Sequence, residues 1–201
     1  MVENILNPSD VIYYPKEISY EAYTEASDAV ERDYFYYSAG PFNGWLSANE
    51  MYLDTQFSYE YAERHTFVNT QIEAIANKIF NPSMSDEEKL LALDNWFRDE
   101  YSYIYEVYDV YTALQLGGGV CTTYAQLADI LCAKAGIECL YVSGDADNGL
   151  GEDSGSHAWN KVKVNGKWYY VDYTWNISHQ YYLTETLWED HSESDTIVLY
   201  Y

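Results

Sequence analysis

Residues 117–125 read Gly-Gly-Gly-Val-Cys-Thr-Thr-Tyr-Ala, so a flexible run of glycines leads directly to a cysteine, Cys121. Small and apolar residues then recur at helical spacing over 122–135, and Gly136 follows, where helix C-termini favour glycine. The pattern predicts a helix with Cys121 in its first turn. Backbone N–H groups and the helix dipole favour an anion there, so the thiol would ionise readily to the nucleophilic thiolate. The alternative is that Cys121 is a small buried residue at a loop-to-helix joint.

A second pattern predicts a β-hairpin further along the chain. The pair Asn165-Gly166 separates Ser-His-Ala-Trp-Asn at 156–160 from Trp-Tyr-Tyr-Val-Asp-Tyr-Thr-Trp at 168–175. Asn-Gly is the strongest short hairpin signal, because both central positions of a type I′ turn need a positive φ. If these two residues form the loop, Val164 faces Lys167 and the two stretches pair as antiparallel strands.

The same register brings a histidine and an aspartate together. It places Trp159 opposite Asp172 and His157 opposite Thr174. Side chains alternate between faces along a strand, so His157 and Asp172 share a face as diagonal neighbours, within reach of each other. In the chain order Cys121, His157, Asp172, the three residues form a set of nucleophile, base and orienting carboxylate.

Four motifs now appear in order: Gly-Val-Cys121-x-x-Tyr-Ala, Ala-Gly136-Ile, His157-Ala-Trp-Asn, and Gly-Lys-Trp-Tyr-x-Val-Asp172-x-Thr-Trp. Together they resemble the transglutaminase-like superfamily, a branch of the papain-like cysteine enzymes, over residues 86–191. The resemblance implies a catalytic triad of Cys121, His157 and Asp172. It also implies an α+β fold, in which the cysteine lies at the N-terminus of a helix packed on an antiparallel sheet that carries the histidine and the aspartate.

Two positions bear on which branch of the family the chain resembles. Many members carry Asp after the second Trp, where this chain has Asn176. Val120, directly before Cys121, is similar to the residue of bacterial, hydrolase-like members. The resemblance therefore points to a bacterial-type member.

The net charge of the chain limits the classes of partner that it can bind. The 201 residues include 10 Lys and Arg against 33 Asp and Glu, a formal net charge of −23. Such a protein repels nucleic acid and anionic membranes, so we expect neither as a partner. A solvated surface accounts for the charge most simply, and attraction of cationic peptide or protein substrates is the functional alternative. No apolar run suggests membrane insertion, and the N-terminus shows no signal-peptide pattern.

The chain is predicted to have an extension and a core. Residues 1–65 hold ten of the 24 tyrosines, with a helix expected at 19–33 and an extended segment at 56–59, and we expect them to pack on the core. Residues 66–201 form the transglutaminase-like catalytic core, which begins with a helix at 66–80. Ser85, with Glu88 three residues later, predicts a capping box at the next helix. The composition suggests an extracellular or cell-surface domain of a longer bacterial protein, with other domains as possible partners.

Three further stretches raise expectations about the site. An aromatic-rich irregular loop is expected at 101–111 and a strand at 137–143. Gln115, six positions before Cys121, is a candidate oxyanion donor by analogy with papain-like proteases, although the backbone N–H of Cys121 is the safer donor. Four acidic residues lie between 145 and 156, but their spacing does not fit a calcium loop, so we predict a solvated loop there. No metal and no cofactor are predicted.

The resemblance implies an enzyme that acts on amide bonds through a thioester. Cys121 attacks, His157 takes and later returns a proton, and Asp172 holds the imidazole in its tautomer. Water as the acceptor gives a cysteine peptidase or amidase, which we favour. A lysine amine as the acceptor gives transglutaminase cross-linking, and a non-catalytic interaction module that kept the fold is a third alternative.

Overall fold

The computed structural model describes residues 11–13, 44–47, 50–53, 55–147, 155–176 and 180–197. The chain divides into two compact units, Met1–Thr70 and Gln71–Tyr201. None of the helices within the described ranges is long and apolar enough to cross a membrane.

The first unit contains a small antiparallel sheet. Its strands are β1 (Val11–Tyr13), β2 (Gly44–Ser47) and β3 (Glu50–Leu53), in the order β1-β3-β2. The predicted helix at 19–33 lies outside the described residues. The extended segment predicted at 56–59 is wrong, because these residues belong to helix α1 (Thr55–Ile79). The predicted boundary at residue 65 falls inside this helix, and the packing of residues 1–65 on the core stays a prediction.

Helix α1 continues into the second unit, where its apolar stripe is buried at Ile72 and Ala76. Helix α2 (Asp86–Glu100) follows and begins with the predicted capping box. The Ser85 hydroxyl accepts the Glu88 N–H at 3.2 Å, and a Glu88 carboxylate oxygen accepts the Ser85 N–H at 2.8 Å. These two bonds satisfy N–H groups that the first turn of a helix leaves without partners.

The connection predicted as an irregular loop at 101–111 is more ordered than expected. Strand β4 (Ser102–Tyr103) pairs in parallel with β5 (Gly118–Gly119), and helix α3 (Val110–Leu116) lies between them. Asp109 caps α3 by accepting the Thr112 N–H at 2.9 Å. The pairing of β4 with β5 therefore holds the glycine run in place just before Cys121.

Helix α4 (Cys121–Ala135) confirms the helix predicted from the cysteine stretch. Val120 is its N-cap, and Gly136 ends it with φ 76°, in the left-handed region that favours glycine. Its positions from Thr123 to Cys132 are all buried. The helix packs against two strands of the main sheet and against α2, so its N-terminal turn is fixed relative to the sheet.

The main sheet is antiparallel, in the order β8-β7-β6-β9. Its strands are β6 (Cys139–Ala146), β7 (Gly155–Val164), β8 (Lys167–Val171) and β9 (His191–Ile197). A helix layer on an antiparallel sheet is the α+β architecture predicted from the sequence. Strand β6 begins two residues later than the strand predicted at 137–143 and runs on to Ala146, because it pairs with neighbours on both sides through Gly144 and Asp145.

The predicted hairpin register is confirmed for β7 and β8. Val164 pairs with Lys167, and the ladder continues to the pair Asn160 and Val171. Asn165 and Gly166 have the expected positive φ angles, 51° and 80°. The two pairs predicted beyond it, Trp159 with Asp172 and His157 with Thr174, do not form.

The ladder ends because the chain turns at Asp172. One carboxylate oxygen of Asp172 accepts the N–H groups of Thr174 at 2.8 Å and Trp175 at 3.3 Å. The Asp172 N–H donates to the Tyr181 carbonyl at 2.9 Å instead of to β7. Aspartate commonly forms such a turn by bonding to its own backbone two residues further on.

Candidate active site

Glycine is required at the position that leads into Cys121. A side chain at Gly119 would place its Cβ 2.3 Å from the Thr123 hydroxyl oxygen and 3.0 Å from the Val107 carbonyl oxygen. Thr123 donates its hydroxyl to the Val120 carbonyl at 2.8 Å and accepts the Tyr101 hydroxyl at 2.9 Å. These buried hydrogen bonds link the first turn of α4 to Val120 and Tyr101, which fixes the position of the thiol.

His157 and Asp172 lie in direct contact on the sheet side. His157 Nε2 is 2.8 Å from an Asp172 carboxylate oxygen, and the side chains are 6% and 0% exposed. The imidazole stacks on the Trp175 ring with centroids 4.5 Å apart, and the Trp159 ring lies 5.9 Å away. The carboxylate and the tryptophans therefore restrain the ring, with Nε2 as the nitrogen that faces Asp172.

The Cys121 thiol lies within hydrogen-bonding reach of His157. Burial raises the pKa of the Cys121 thiol, but the His157 hydrogen bond and charge outweigh it, aided by the N–H groups of Ala158 and Thr122, and the net pKa is lowered. The structure therefore favours a thiolate at Cys121, as the helix N-terminus predicts.

The pKa values of the other two groups shift in the matching directions. Burial by itself lowers the pKa of His157, but hydrogen bonds and charge from Asp172 and Cys121 raise it to about 9. Burial raises the pKa of Asp172, but hydrogen bonds from His157 and His191 lower it overall. Each charged form stabilises its neighbour, so the arrangement favours a thiolate, an imidazolium and a carboxylate in a row.

A buried amide joins the helix to the sheet next to these groups. Asn160 on β7 is fully buried, and its side-chain N–H₂ donates to the Ala125 carbonyl on α4 at 3.0 Å and the Leu140 carbonyl on β6 at 3.3 Å. Asn160 lies three residues from His157, and Ala125 lies four residues from Cys121. The amide therefore sets the spacing between the elements that carry the base and the thiol.

Two further sequence-based expectations concern Gln115 and the acidic stretch that follows β6. Gln115 lies on α3 with an exposed side chain, and among the described contacts none links it to Cys121 or His157. Its role as an oxyanion donor stays a prediction. In the acidic stretch, β6 continues through Ala146, whereas Glu152 and Asp153 lie outside the described residues.

Asn176, the departure noted from the sequence, has a partner that explains it. Its side-chain N–H₂ donates to an Asp94 carboxylate oxygen at 2.6 Å, and both side chains are buried. Asp94 on α2 already supplies the carboxylate. An amide at 176 complements it, whereas a second carboxylate would repel it.

Sequence reasoning missed one residue, His191, the first of β9. Its Nε2 is 3.4 Å from the same Asp172 oxygen that His157 contacts, and its Nδ1 is 2.7 Å from Asp190. His191 follows an irregular connection with no periodic pattern, so no sequence signal places it. The nearest ligand atoms of His157, Asp172 and His191 lie within 4.8 Å of one another, a spacing that also suits a metal ion. Hydrogen bonds already account for this arrangement, so we assign no metal.

The fold brings a cysteine, a histidine and an aspartate together, and comparison with known proteins gives the family. The model of the transglutaminase-like superfamily matches residues 73–173, half of the chain, so the protein belongs to this superfamily. It is 27% identical over 123 residues to the mouse (Mus musculus) protein named kyphoscoliosis peptidase, covering 54% of this chain and 18% of that protein. It is 31% identical over 116 residues to an uncharacterized protein of Mycobacterium leprae (strain TN), covering 53% of this chain and 41% of that protein. The chain thus spans less than half the length of either relative.

Two solved structures are also similar. One is a candidate cysteine protease from Cytophaga hutchinsonii, with a TM-score of 0.47 and 19% identity over 65% of this chain and 50% of that one. The other is described as a TGase, with a TM-score of 0.44 and 14% identity over 84% of this chain and 51% of that one.

Proposed function

We propose that the protein is a cysteine peptidase or amidase in which Cys121, His157 and Asp172 form the catalytic triad. One observation carries the proposal: the buried His157 ring contacts Asp172 at 2.8 Å and also reaches the Cys121 thiol. The name of the mouse relative, a peptidase, supports hydrolysis as the reaction.

The chemistry starts from the thiolate–imidazolium pair. The Cys121 sulfur attacks the carbonyl carbon of an amide, and the carbonyl oxygen becomes an oxyanion. The Cys121 N–H at the N-terminus of α4 is the proposed donor to this oxyanion, since helix start positions have no carbonyl partner within the helix. His157 then gives its proton to the amine as the C–N bond breaks, which leaves a thioester on the sulfur.

The second half of the cycle returns the site to its starting state. His157, now neutral, takes a proton from water as the water oxygen attacks the thioester carbonyl. The C–S bond breaks, a carboxylic acid leaves, and the thiolate–imidazolium pair forms again. Asp172 stabilises the imidazolium in both halves. We propose a peptide or protein substrate, and the net charge of −23 favours cationic segments of it.

The experiment separates hydrolysis from amine transfer and from a non-catalytic role. A peptide aldehyde that mimics an amide substrate is expected to block Cys121, and Cys121→Ser is expected to lose peptide hydrolysis. Cys132→Ser is the matched control, because that thiol is fully buried on the same helix. Added lysine analogue should not convert the product from acid to amide. An amide product would favour a transglutaminase, and an unreactive Cys121 would favour the interaction module.

A further inference from the structure

His191 lies between two carboxylates. Its side chain is fully buried, its Nδ1 is 2.7 Å from Asp190 and its Nε2 is 3.4 Å from Asp172. A neutral imidazole has one N–H and one lone pair, so it can donate to one carboxylate only and must turn its lone pair toward the other. Only the imidazolium form of His191 donates to both.

A protonated carboxyl at Asp172 or Asp190 does not account for the two contacts of His191 either. Burial raises the pKa of Asp172, but the donors around it lower it overall. Burial also raises the pKa of Asp190, but hydrogen bonds from the Tyr181 hydroxyl and from His191 lower it overall. The Tyr181 hydroxyl donates to the second Asp190 oxygen at 2.5 Å. Both carboxyl groups are thus held toward the ionised form, in which each can only accept a hydrogen bond from His191.

Aromatic rings enclose this imidazole. Those of Trp188, Trp159, Trp175 and Tyr181 have centroids between 4.8 and 5.5 Å from the centroid of His191. Apolar walls strengthen charge interactions inside them, so opposite charges in contact matter more here than at a surface.

The other charged groups near His191 lie on three elements. The His157 ring on β7 has its centroid 5.5 Å away. On β6, Ala146 pairs with His191, and Asp145 and Asp147 flank it in sequence. On β9, Glu193 is bound to Lys161 at 2.8 Å. His157 is thus the cation nearest to His191 among these described groups.

We propose that His191 is a positioning residue, a buried imidazolium that shares the charge of Asp172 and so limits how tightly His157 holds its proton. The inference rests on the proposed triad. Charges then alternate from the Cys121 sulfur through His157, Asp172 and His191 to Asp190. A general acid must release its proton to the leaving amine, and a carboxylate with a single cation would hold that proton too strongly. His191, Asp190 and Tyr181 all lie outside residues 73–173, which the family model matches.

The test follows the ring nitrogens of His157 and His191 by ¹⁵N NMR in the full chain, which has only four histidines to assign. We expect both nitrogens of His191 to carry protons at pH 7. In His191→Gln and His191→Phe, we expect the titration midpoint of His157 to rise by about one pH unit, because a nearby like charge is removed. Trp188→Phe is the matched control, since it keeps an aromatic contact with His191 and changes no charge; its midpoint should stay in place.

The outcomes that overturn the inference are specific. If the titration midpoint of His157 is unchanged or lower in folded His191 variants, the inference is refuted, because removal of a nearby cation must raise that midpoint. A single protonated nitrogen on His191 at pH 7 in the unmodified protein would refute it as well, even if the variants fail to fold. Neither measurement uses peptide hydrolysis, so an inactive protein with a doubly protonated His191 would refute the proposed function alone.

Discussion

Asp172→Asn is the substitution that tests the triad most directly. Asparagine keeps the size of the side chain and an oxygen for the N–H groups of Thr174 and Trp175, but it removes the negative charge that His157 contacts at 2.8 Å. Burial by itself lowers the pKa of His157, and Asp172 is the first of the two groups that raise it, with Cys121 the second, so without the carboxylate that pKa is expected to fall from about 9 toward its ordinary value of 6.5.

The size of the effect follows from these values. At pH 8, about 90% of His157 is protonated with a pKa of about 9, and about 3% with a pKa of 6.5. The imidazolium population at pH 8 should therefore fall by up to roughly thirtyfold. The Cys121 thiolate should become scarcer with it, since His157 is the main group that lowers the thiol pKa against the effect of burial.

The same shift makes folding stability depend on pH. A histidine whose pKa rises on folding stabilises the native state fully below its unfolded value, 6.5, and this contribution is lost as the pH rises through about 9. The difference corresponds to about 3 kcal/mol of unfolding free energy. Asp172→Asn should therefore cost more stability at pH 6 than at pH 10.

Two measurements check this reasoning. The first is the alkylation rate of Cys121 by iodoacetamide against pH, followed by mass spectrometry with buried Cys132 as the internal reference. The second is urea unfolding at pH 6 and pH 10. If Asp172→Asn leaves the alkylation profile unchanged, and its stability cost is equal at both pH values, Asp172 does not govern His157 and the triad is not assembled.

Three other predictions test the surroundings of the site. Asn176→Asp places a second carboxylate next to the Asp94 oxygen, which now accepts an N–H from Asn176 at 2.6 Å. We expect the free energy of unfolding, measured with urea, to fall by about 3 kcal/mol at pH 7, and by less below pH 4. Ser85→Ala removes the hydroxyl that caps α2 and should cost about 1 kcal/mol without changing Cys121 alkylation; slower alkylation would contradict a purely capping role. Gly119→Ala brings a Cβ to 2.3 Å from the Thr123 oxygen, so it should cost about 2 kcal/mol in the same unfolding assay and slow the alkylation of Cys121. If neither stability nor alkylation changes, the loop can move aside.

The parts of the fold that could be predicted are those set by local chemistry. Asn165-Gly166 determines a tight turn, so the register of β7 with β8 follows from the sequence. Gly136 and the capping residue Ser85 mark helix ends for similarly local reasons. The placement of Cys121 at the start of α4 follows from the glycines before it and the helical pattern after it.

The errors have different causes. Residues 56–59 have strand-forming character, yet they extend α1. The hairpin pattern predicts that Asp172 continues the ladder, but its carboxylate instead caps the backbone that follows. It still reaches His157, by a turn and not by strand pairing. His191 arrives on a strand at the other side of β6 and β7, and only the three-dimensional sheet order brings it to Asp172.

The amide of Asn160 has a consequence for the energetics of substrate binding. A site whose reacting groups are ordered only when a ligand arrives must spend part of its binding free energy on that ordering. Here one side chain bonds α4 and β6 from its place on β7, so the relative position of thiol and imidazole is established when the chain folds. The entropic cost of bringing the two groups together is therefore part of the free energy of folding, and it does not lower the affinity for substrate.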